Sequence, residues 1–427
     1  MIRIMRYGET PNSELFARVE PKVNVEQAVA DIISAVRQRG DEAVLEYTRR
    51  FDCPTLEAME VTEEEIEEAM VAVGLSFLNV LFRAAKNIRA FHEKQVKNNF
   101  MFTGEDGIVL GQKVTPIEKV GIYVPGGRAA YPSTVLMDAI PAKIAGCEQI
   151  IMVTPPGKDG KIDPHILAAA RIADVDRIFK IGGAQAVAAL AYGTESVPRV
   201  DKIVGPGNAY VAEAKRQVFG RVAIDMIAGP SEILVLADGK SDPAHVAADL
   251  LSQAEHDPLA CAVLVTDSQT LADAVNRELE RQIPLLPRGE IARASIDDWG
   301  KIIVAEDLRQ GVEIANEIAP EHLELMVEDP FAWLDSIKNA GSVFLGRFCP
   351  ESLGDYLAGP NHTLPTSGTA RFSSPLSVDD FVKKTQFSYY TKPALEKCAR
   401  DVAAFARKEG LEAHARSALI RFGLEDE

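Results

Sequence analysis

The sequence predicts an α/β protein with two doubly wound, incomplete Rossmann-like units, a helical N-terminal stretch and a helical C-terminal tail. From about residue 120, short apolar runs alternate with Ala-rich segments of helical length. The alternation starts again near residue 233, and both flanking regions have helical character. Buried strands separated by ten to fifteen helical residues are typical of parallel sheets with helices on both faces.

The strands fall into two series. The first occupies residues 120–127, 149–156, 177–183 and 202–208. The second occupies residues 233–238, 260–268, 301–307, 322–329 and 342–346. A ligand is expected in the crevice between the units or beyond the carboxyl ends of the strands.

The regions outside the two series are predicted to be helical. The first 110 or so residues read as helices: 24–52 has helical periodicity, and Thr62 with Glu65 forms a capping box before an apolar helical run. A helical tail is expected from about Ser377.

Length and charge limit the class of protein. A chain of 427 residues suggests two or three domains. The net charge of -17 argues against nucleic acid or an anionic membrane as the partner, because both require a basic face. The first residues lack a signal-peptide core, and no window has about 18 unbroken apolar residues. We expect a cytoplasmic protein that binds a small molecule.

The cysteines indicate neither a disulfide framework nor a thiolate zinc site, because they lie far apart without a CxxC pair. They are Cys53, Cys147, Cys261, Cys349 and Cys398. Any metal site must therefore use nitrogen and oxygen ligands.

Three strand ends carry glycine turns, at 125–127, 182–183 and 205–208. The last approaches a dinucleotide fingerprint, but Tyr210 stands where the third glycine belongs. Asp225, twenty residues after Gly205, is a candidate ribose acid under this interpretation. The alternative is a tight turn that needs positive φ. Such a turn can also bring backbone N–H groups to a phosphate, so both interpretations remain open.

The segment DLLSQAEHDPLA places Gln253 and His256 three residues apart. That spacing puts both side chains on one helical face, where they can bind a single metal ion. The alternative is a polar C-terminal turn ended by Pro258.

Glu321 and His322 follow Pro320, which ends a helix and directs the chain into the next strand. An adjacent acid and imidazole there can act as two proton-transfer groups. The alternative is a chance pair at the surface.

Two further segments offer ligands. The loop that contains Asp355, Asn361 and His362 either presents them to a ligand or merely connects two elements. Glu409 and His414 lie on an Ala-rich helix whose default interpretation is a solvated face. Taken together, these imidazole, carboxylate and amide groups form the mixed set that suits zinc.

Eight segments between about residues 119 and 418 resemble the signature segments of the histidinol dehydrogenase family, in the family's order. They are GIYVPGGRAAYPSTVLM, IGGAQAVAALAYGT, GPGNAYVAEAK, AIDMIAGPSEILVLAD, LLSQAEHDP, APEHLEL, GDYLAGPNHTLPT and EGLEAHARS. The resemblance implies oxidation of L-histidinol to L-histidine through histidinal with two NAD+, the final steps of histidine biosynthesis.

The resemblance also implies roles for individual residues. Zinc would be bound by Gln253, His256, Asp355 and His414, and Glu321 with His322 would be the acid/base pair. The residues implied to contact the substrate are Ser231, Gln253, His256, Glu321, Asp355, His362, Glu409 and His414. NAD would contact Tyr123, Gln185 and Asn208, which leaves Asp225 without a cofactor role.

By the same resemblance the protein is a homodimer in which the tail of one chain completes the active site of the other. The implied regions are an N-terminal arm at 1–21, a zinc and substrate domain at 22–119 plus 231–376, an NAD-binding domain at 120–230, and a helical tail at 377–427.

Two alternatives compete with this assignment. One is a paralogous zinc- and NAD-dependent dehydrogenase of another small polar alcohol, such as a sulfonated diol. Glu409 and His362 favour histidinol as the substrate, because an anionic substrate would prefer cationic or neutral groups at these positions. The other is a non-catalytic metal or ligand sensor, which would need no proton-transfer pair such as Glu321 and His322. Residues 369–378 carry no motif that we can interpret.

Overall fold

The computed structural model describes residues 2–18, 24–126 and 130–424. Gly127 of the first glycine turn and the boundary expected at residue 21 lie outside the described residues. The strands are β1 (Arg3–Arg6), β2 (Phe100–Thr103), β3 (Val109–Pro116), β4 (Lys119–Tyr123), β5 (Gln149–Thr154), β6 (Arg177–Lys180), β7 (Lys202–Val204), β8 (Ala223–Ile224), β9 (Glu232–Ala237), β10 (Cys261–Thr266), β11 (Lys301–Val304), β12 (His322–Met326), β13 (Ser342–Leu345) and β14 (Val382–Tyr389).

The helices begin and end as follows: α1 (Asn12–Leu15), α2 (Glu26–Arg39), α3 (Asp41–Phe51), α4 (Glu63–His92), α5 (Pro132–Ala145), α6 (Pro164–Ile172), α7 (Gly183–Tyr192), α8 (Ala209–Val218), α9 (Pro243–Ala254), α10 (Gln269–Gln282), α11 (Gly289–Asp298), α12 (Leu308–Ile318), α13 (Phe331–Leu334), α14 (Glu351–Tyr356), α15 (Lys392–Lys408) and α16 (Glu412–Leu419). The chain divides into two compact units, Met1–Gln95 with Ile117–Phe381 and Val96–Pro116 with Val382–Glu427.

The first unit contains two parallel sheets. One has the order β6-β5-β4-β7-β8 and the other the order β1-β11-β10-β9-β12-β13. All described pairings in both sheets are parallel. They correspond to the two predicted strand series, so the predicted fold class is confirmed. The N-terminal segment adds β1 at the edge of the second sheet, where Arg3 pairs with Lys301.

Both sheets are buried on their two faces, which explains the continuous apolar runs in the sequence. In β9, every residue from Ile233 to Ala237 is buried. Alternate residues belong to different core clusters: Ile233, Val235 and Ala237 pack on one side, and Leu234 and Leu236 on the other. This packing makes the carboxyl and amino ends of the strands rigid supports for loops.

The predicted capping box at the start of α4 is present. The Glu65 N–H donates to Thr62 Oγ1 at 3.3 Å, and the Thr62 N–H donates to Glu65 Oε2 at 2.9 Å. Gly74, with φ of 76°, interrupts the helical geometry. The stretch Glu63–Gln95 is long and apolar enough to cross a membrane by length and composition alone. Core helices can pass the same test, and Leu78, Leu81 and Ile88 pack in a core cluster.

The second unit contains an antiparallel sheet of order β14-β3-β2, followed by α15 and α16. The helices expected throughout the first 110 or so residues are therefore wrong at β1, β2 and β3. The tail is helical only after β14, which pairs with β3 from Val382 opposite Pro116 to Tyr389 opposite Val109. The polar sequence VKKTQFSY forms a strand because a distant segment supplies its hydrogen-bond partners.

Candidate functional site

The predicted acid/base pair lies at the start of β12, which is central in the second sheet. Glu321 and His322 are both buried. The main chain of Glu232, at the start of neighbouring β9, contacts both side chains: its N–H donates to Glu321 Oε2 at 2.9 Å, and its carbonyl oxygen lies 3.0 Å from His322 Nδ1. One strand end therefore orients both residues.

The contact with the Glu232 carbonyl oxygen determines which ring nitrogen of neutral His322 carries the proton. A carbonyl oxygen only accepts, so Nδ1 carries the proton and Nε2 carries the lone pair. Nε2 has no hydrogen-bond partner among the described residues. Burial lowers the pKa of His322, which favours the neutral base. Burial also raises the pKa of Glu321 well above its usual value.

A cavity of about 150 Å³ opens beside this pair. It brings together residues that are far apart in the sequence, and all of its described lining belongs to the first unit. The predicted site residues that line it are Ser231, Gln253, His256, Glu321, His322, Asp355 and His362. Seven of the positions selected from the sequence thus share one cavity.

Gln253 and His256 reach this cavity from the end of α9. Gln253 is buried in the last turn, and the His256 N–H donates to the Gln253 carbonyl oxygen at 3.1 Å. Arg288 Nη2 donates to the His256 carbonyl oxygen at 3.2 Å and fixes the turn. Burial lowers the pKa of His256, so its imidazole is available as a neutral ligand.

Asp355 and His362 both line the cavity, and Asp355 Oδ1 lies 3.6 Å from His362 Nδ1. Burial disfavours both charges, but the hydrogen bond and charge of His362 hold the pKa of Asp355 below its usual value. Burial likewise opposes the charge on His362, but Asp355 raises the pKa of that imidazole. The opposite pKa shifts favour a charged pair of these two partly buried side chains.

The loop that carries His362 is held by α5. Asn361 Nδ2 donates to the Met137 carbonyl oxygen at 2.6 Å, and Thr363 Oγ1 donates to Asp138 Oδ1 at 2.9 Å. The loop therefore connects the second sheet's cavity to a helix that flanks the first sheet.

Sequence reasoning missed Glu351, the first residue of α14. It is 1% exposed, its Oε2 accepts from Ser252 Oγ at 2.9 Å, and its Oε1 lies 3.9 Å from His322 Nε2. Ligand atoms of His322, Glu351 and Asp355 all lie within 4.8 Å of one another, close enough to hold a metal ion. This set shares only Asp355 with the predicted zinc ligands. Burial and Asp355 raise the pKa of Glu351 to about 8.

Glu409 and His414 belong to the second unit. Glu409 is the C-cap residue of α15, and His414 lies in α16. Both side chains are exposed. They do not contribute to the described cavity lining.

A separate cavity of about 680 Å³ contains the predicted NAD residues Tyr123, Gln185 and Asn208. Gln185 is 1% exposed, and neither its amide oxygen nor its amide nitrogen has a hydrogen-bond partner among the described residues. A buried amide with both polar atoms free is costly unless a ligand completes it. Tyr123 and Asn208 also have local roles: the Tyr123 hydroxyl accepts from the Gly183 N–H at 3.0 Å, and Asn208 caps α8.

Asp225 has a structural role. Its side chain is 1% exposed and forms an ion pair with buried Lys215. Its Oδ2 also accepts from the Gly205 N–H at 2.8 Å. Gly205 has φ of 109°, as the turn interpretation predicts, and an added Cβ would lie 2.2 Å from the Tyr123 carbonyl oxygen. The carboxylate therefore stabilises the turn through both of its oxygens.

Comparison with known proteins supplies the family. A family model described as histidinol dehydrogenase matches residues 17–422. The chain belongs to the histidinol dehydrogenase family. Histidinol dehydrogenase of Syntrophotalea carbinolica is 58% identical over 403 residues, which are 94% of this chain and 93% of that protein. Histidinol dehydrogenase of Geobacter sulfurreducens is 59% identical over 401 residues and covers 93% of each chain.

A solved structure agrees with this assignment. The crystal structure of histidinol dehydrogenase from Elizabethkingia anophelis superposes with a TM-score of 0.94 at 38% identity. It covers 100% of this chain and 99% of that one. As a histidinol dehydrogenase by family, the protein is an NAD-dependent oxidoreductase, and the family name implies a role in histidine biosynthesis.

Proposed function

We propose that this protein oxidises L-histidinol to L-histidine through histidinal, with two NAD+ reduced per substrate, in the cytoplasm. The observation that carries the proposal is the buried pair Glu321 and His322, oriented by one main-chain residue beside imidazole, amide and carboxylate groups. A pocket of this composition suits a small polar alcohol that carries its own imidazole and amine.

In the first oxidation, His322 Nε2 accepts the hydroxyl proton as hydride leaves the carbon, which converts the alcohol to the aldehyde. The Nδ1 contact with Glu232 keeps the imidazole in the tautomer that this step needs. NAD+ would supply the oxidant for both steps and would accept one hydride in each.

In the second oxidation, the aldehyde must first gain water. Glu321 is proposed to take one proton from that water as its oxygen adds to the carbonyl carbon, which gives the hydrated aldehyde as its monoanion. Loss of the second hydride then gives the carboxylic acid, which releases one more proton to give the carboxylate product. A buried carboxyl group with a raised pKa suits this proton transfer.

Gln253, His256, Asp355 and His414 would hold zinc, and the first three line one cavity with a nitrogen and oxygen donor set that fits this ion. Zinc would bind the imidazole and amine of the substrate and so orient the alcohol. Ser231, His362 and Glu409 would complete the contacts with the substrate.

NAD would occupy the 680 Å³ cavity, with Gln185 as its central polar contact. The start of α7 supports this, because Gly182 provides no side-chain cap for the N–H groups there. The Gly183 N–H donates to the Tyr123 hydroxyl, and the remaining N–H groups at the start of this ten-residue helix favour a diphosphate. Tyr123 and Asn208 lie on the same wall.

We further propose a homodimer in which Glu409 and His414 of each chain complete the site of the other. Their exposed positions in the second unit support an intermolecular role. A tail that completes a partner's site makes activity depend on dimer formation.

A comparison of alcohols tests the function. The purified protein is assayed with L-histidinol, with L-histidinol lacking the amine, and with a sulfonated propanediol, each with NAD+. L-histidinol should have the highest kcat/KM by at least about 100-fold, because the first competitor lacks the amine contact and the diol lacks both the amine and the imidazole contacts. Preference for the sulfonated diol would favour the paralogous dehydrogenase.

A further inference from the structure

We propose that Asp52 selects NAD over NADP by accepting hydrogen bonds from the ribose hydroxyls of the adenosine half of the cofactor. This inference rests on the proposed function, because it assumes that the 680 Å³ cavity binds the dinucleotide. It assigns a specificity role to a residue outside the three predicted NAD contacts.

The geometry places Asp52 on the cavity wall. It is the C-cap residue of α3, is half-buried, and lines the cavity together with Tyr123, Gln185 and Asn208. Burial raises the pKa of the Tyr123 phenol to about 12, and the charge of Asp52 adds to that shift. Its carboxylate has no hydrogen-bond or ion-pair partner within the ranges that the structure describes.

The other carboxylate on this wall is already engaged. Asp31 lies on the exposed face of α2 and accepts from Gln27 Nε2 at 2.8 Å. Asp52 is more buried, and that burial raises its pKa to about 6, so the group remains ionised near pH 8. Of these two carboxylates, Asp52 is therefore the one that is available to accept hydrogen bonds from a ligand.

The surroundings suit the adenosine half of the cofactor. Tyr47 and Phe51 stack with 5.8 Å between ring centroids, and both line the cavity as an apolar wall for a base. A carboxylate beside such a wall can accept from both ribose hydroxyls, whereas a 2′-phosphate brings a second negative charge to the same place. Arg50 also lines the cavity, but its guanidinium lies over the Phe51 ring, 5.3 Å from the centroid.

The test measures kcat/KM for NAD+ and for NADP+ in Asp52→Asn, with L-histidinol saturating, and the binding of each nucleotide alone by calorimetry. The matched control is Glu46→Gln, which removes an exposed charge from the same helix outside the cavity lining. The NADP+/NAD+ ratio should rise by about tenfold or more in Asp52→Asn and stay unchanged in Glu46→Gln. If Asp52→Asn does not fold, the same NADP+/NAD+ ratio is measured in Asp52→Ser.

Gln185→Ala, measured in parallel, separates the two proposals. If it loses NAD+ binding while both Asp52 variants keep the wild-type ratio, the Asp52 proposal is overturned and the cavity assignment stands. If Gln185→Ala binds NAD+ as the wild type does, the cavity assignment fails and the Asp52 proposal fails with it.

Discussion

The main-chain oxygen of Glu232 lies 3.0 Å from Nδ1 of His322. Because the carbonyl only accepts, this contact places the proton on Nδ1 and leaves Nε2 as the base. The same residue's N–H donates to Glu321 Oε2. The spacing of two parallel strands thus determines which imidazole nitrogen can take a proton.

Replacing His322 with Gln should lower turnover by about 10²- to 10⁴-fold, because an amide cannot accept the alcohol proton. The KM for L-histidinol and the zinc content should change little. Steady-state NADH formation and metal analysis of the purified variant measure both. His165→Gln is the matched control, since the His165 side chain is 45% exposed and lies outside the cavity lining. Full activity in His322→Gln would exclude this residue as the base.

Zinc content distinguishes two possible ligand sets that share Asp355. The predicted set includes His256, whereas the cluster of close ligand atoms includes Glu351. We expect His256→Ala to lose zinc on dialysis. Glu351→Gln should keep its zinc affinity within about tenfold of the wild type, because a residue that only supports the ligands does not bind the metal itself. The reverse pattern would assign the metal to His322, Glu351 and Asp355.

Asp138 should make stability depend on pH. It is fully buried, and burial raises its pKa to about 7. The folded state therefore binds this proton more tightly than the unfolded state, so the stabilisation is complete below about pH 4 and is lost as the pH rises to about 7. The loss is on the order of a few kcal/mol.

The variant Asp138→Asn removes this titration and keeps an acceptor for Thr363. Its Tm should exceed that of the wild type at pH 8, and the difference should shrink or reverse near pH 4. Thermal unfolding at both pH values measures it, with Asp159→Asn, an exposed aspartate, as the control. An equal Tm difference at both pH values would contradict the assignment of a protonated Asp138.

Complementation tests the shared active site. His322→Gln and His414→Ala should each be nearly inactive, but mixed dimers should contain one intact site, formed from an intact tail and an intact cavity. Subunit exchange should therefore restore activity to about a quarter of the wild-type value, because half of the dimers are mixed and each has one working site. If no activity returns although subunits exchange, the tail acts on its own chain.

The sequence predicted the parallel sheets because each buried strand is a short apolar run bounded by turn residues. The spacing of Gln253 and His256 predicted one helical face within reach of a single bound group; both residues do line one cavity, but His256 lies in the turn after α9. β14 was missed because VKKTQFSY has exposed charged residues and becomes a strand only through pairing with β3.

Glu351 and Asp52 illustrate what pattern alone does not reveal. An acid at the start of α14 is ordinary in sequence, and its proximity to His322 arises from packing between distant segments. Asp52 ends an amphipathic helix, where a polar residue is expected, yet the fold places it on the wall of a cavity. In both cases, the informative property is a carboxylate that the fold removes from solvent, almost completely at Glu351 and partly at Asp52.

The most direct measurement is the amount of NADH formed per L-histidinol consumed by the purified protein, with and without a metal chelator. We expect two NADH per L-histidinol, loss of activity on chelation and recovery with zinc. One NADH per L-histidinol, or no NADH from metal-loaded protein, would contradict this expectation.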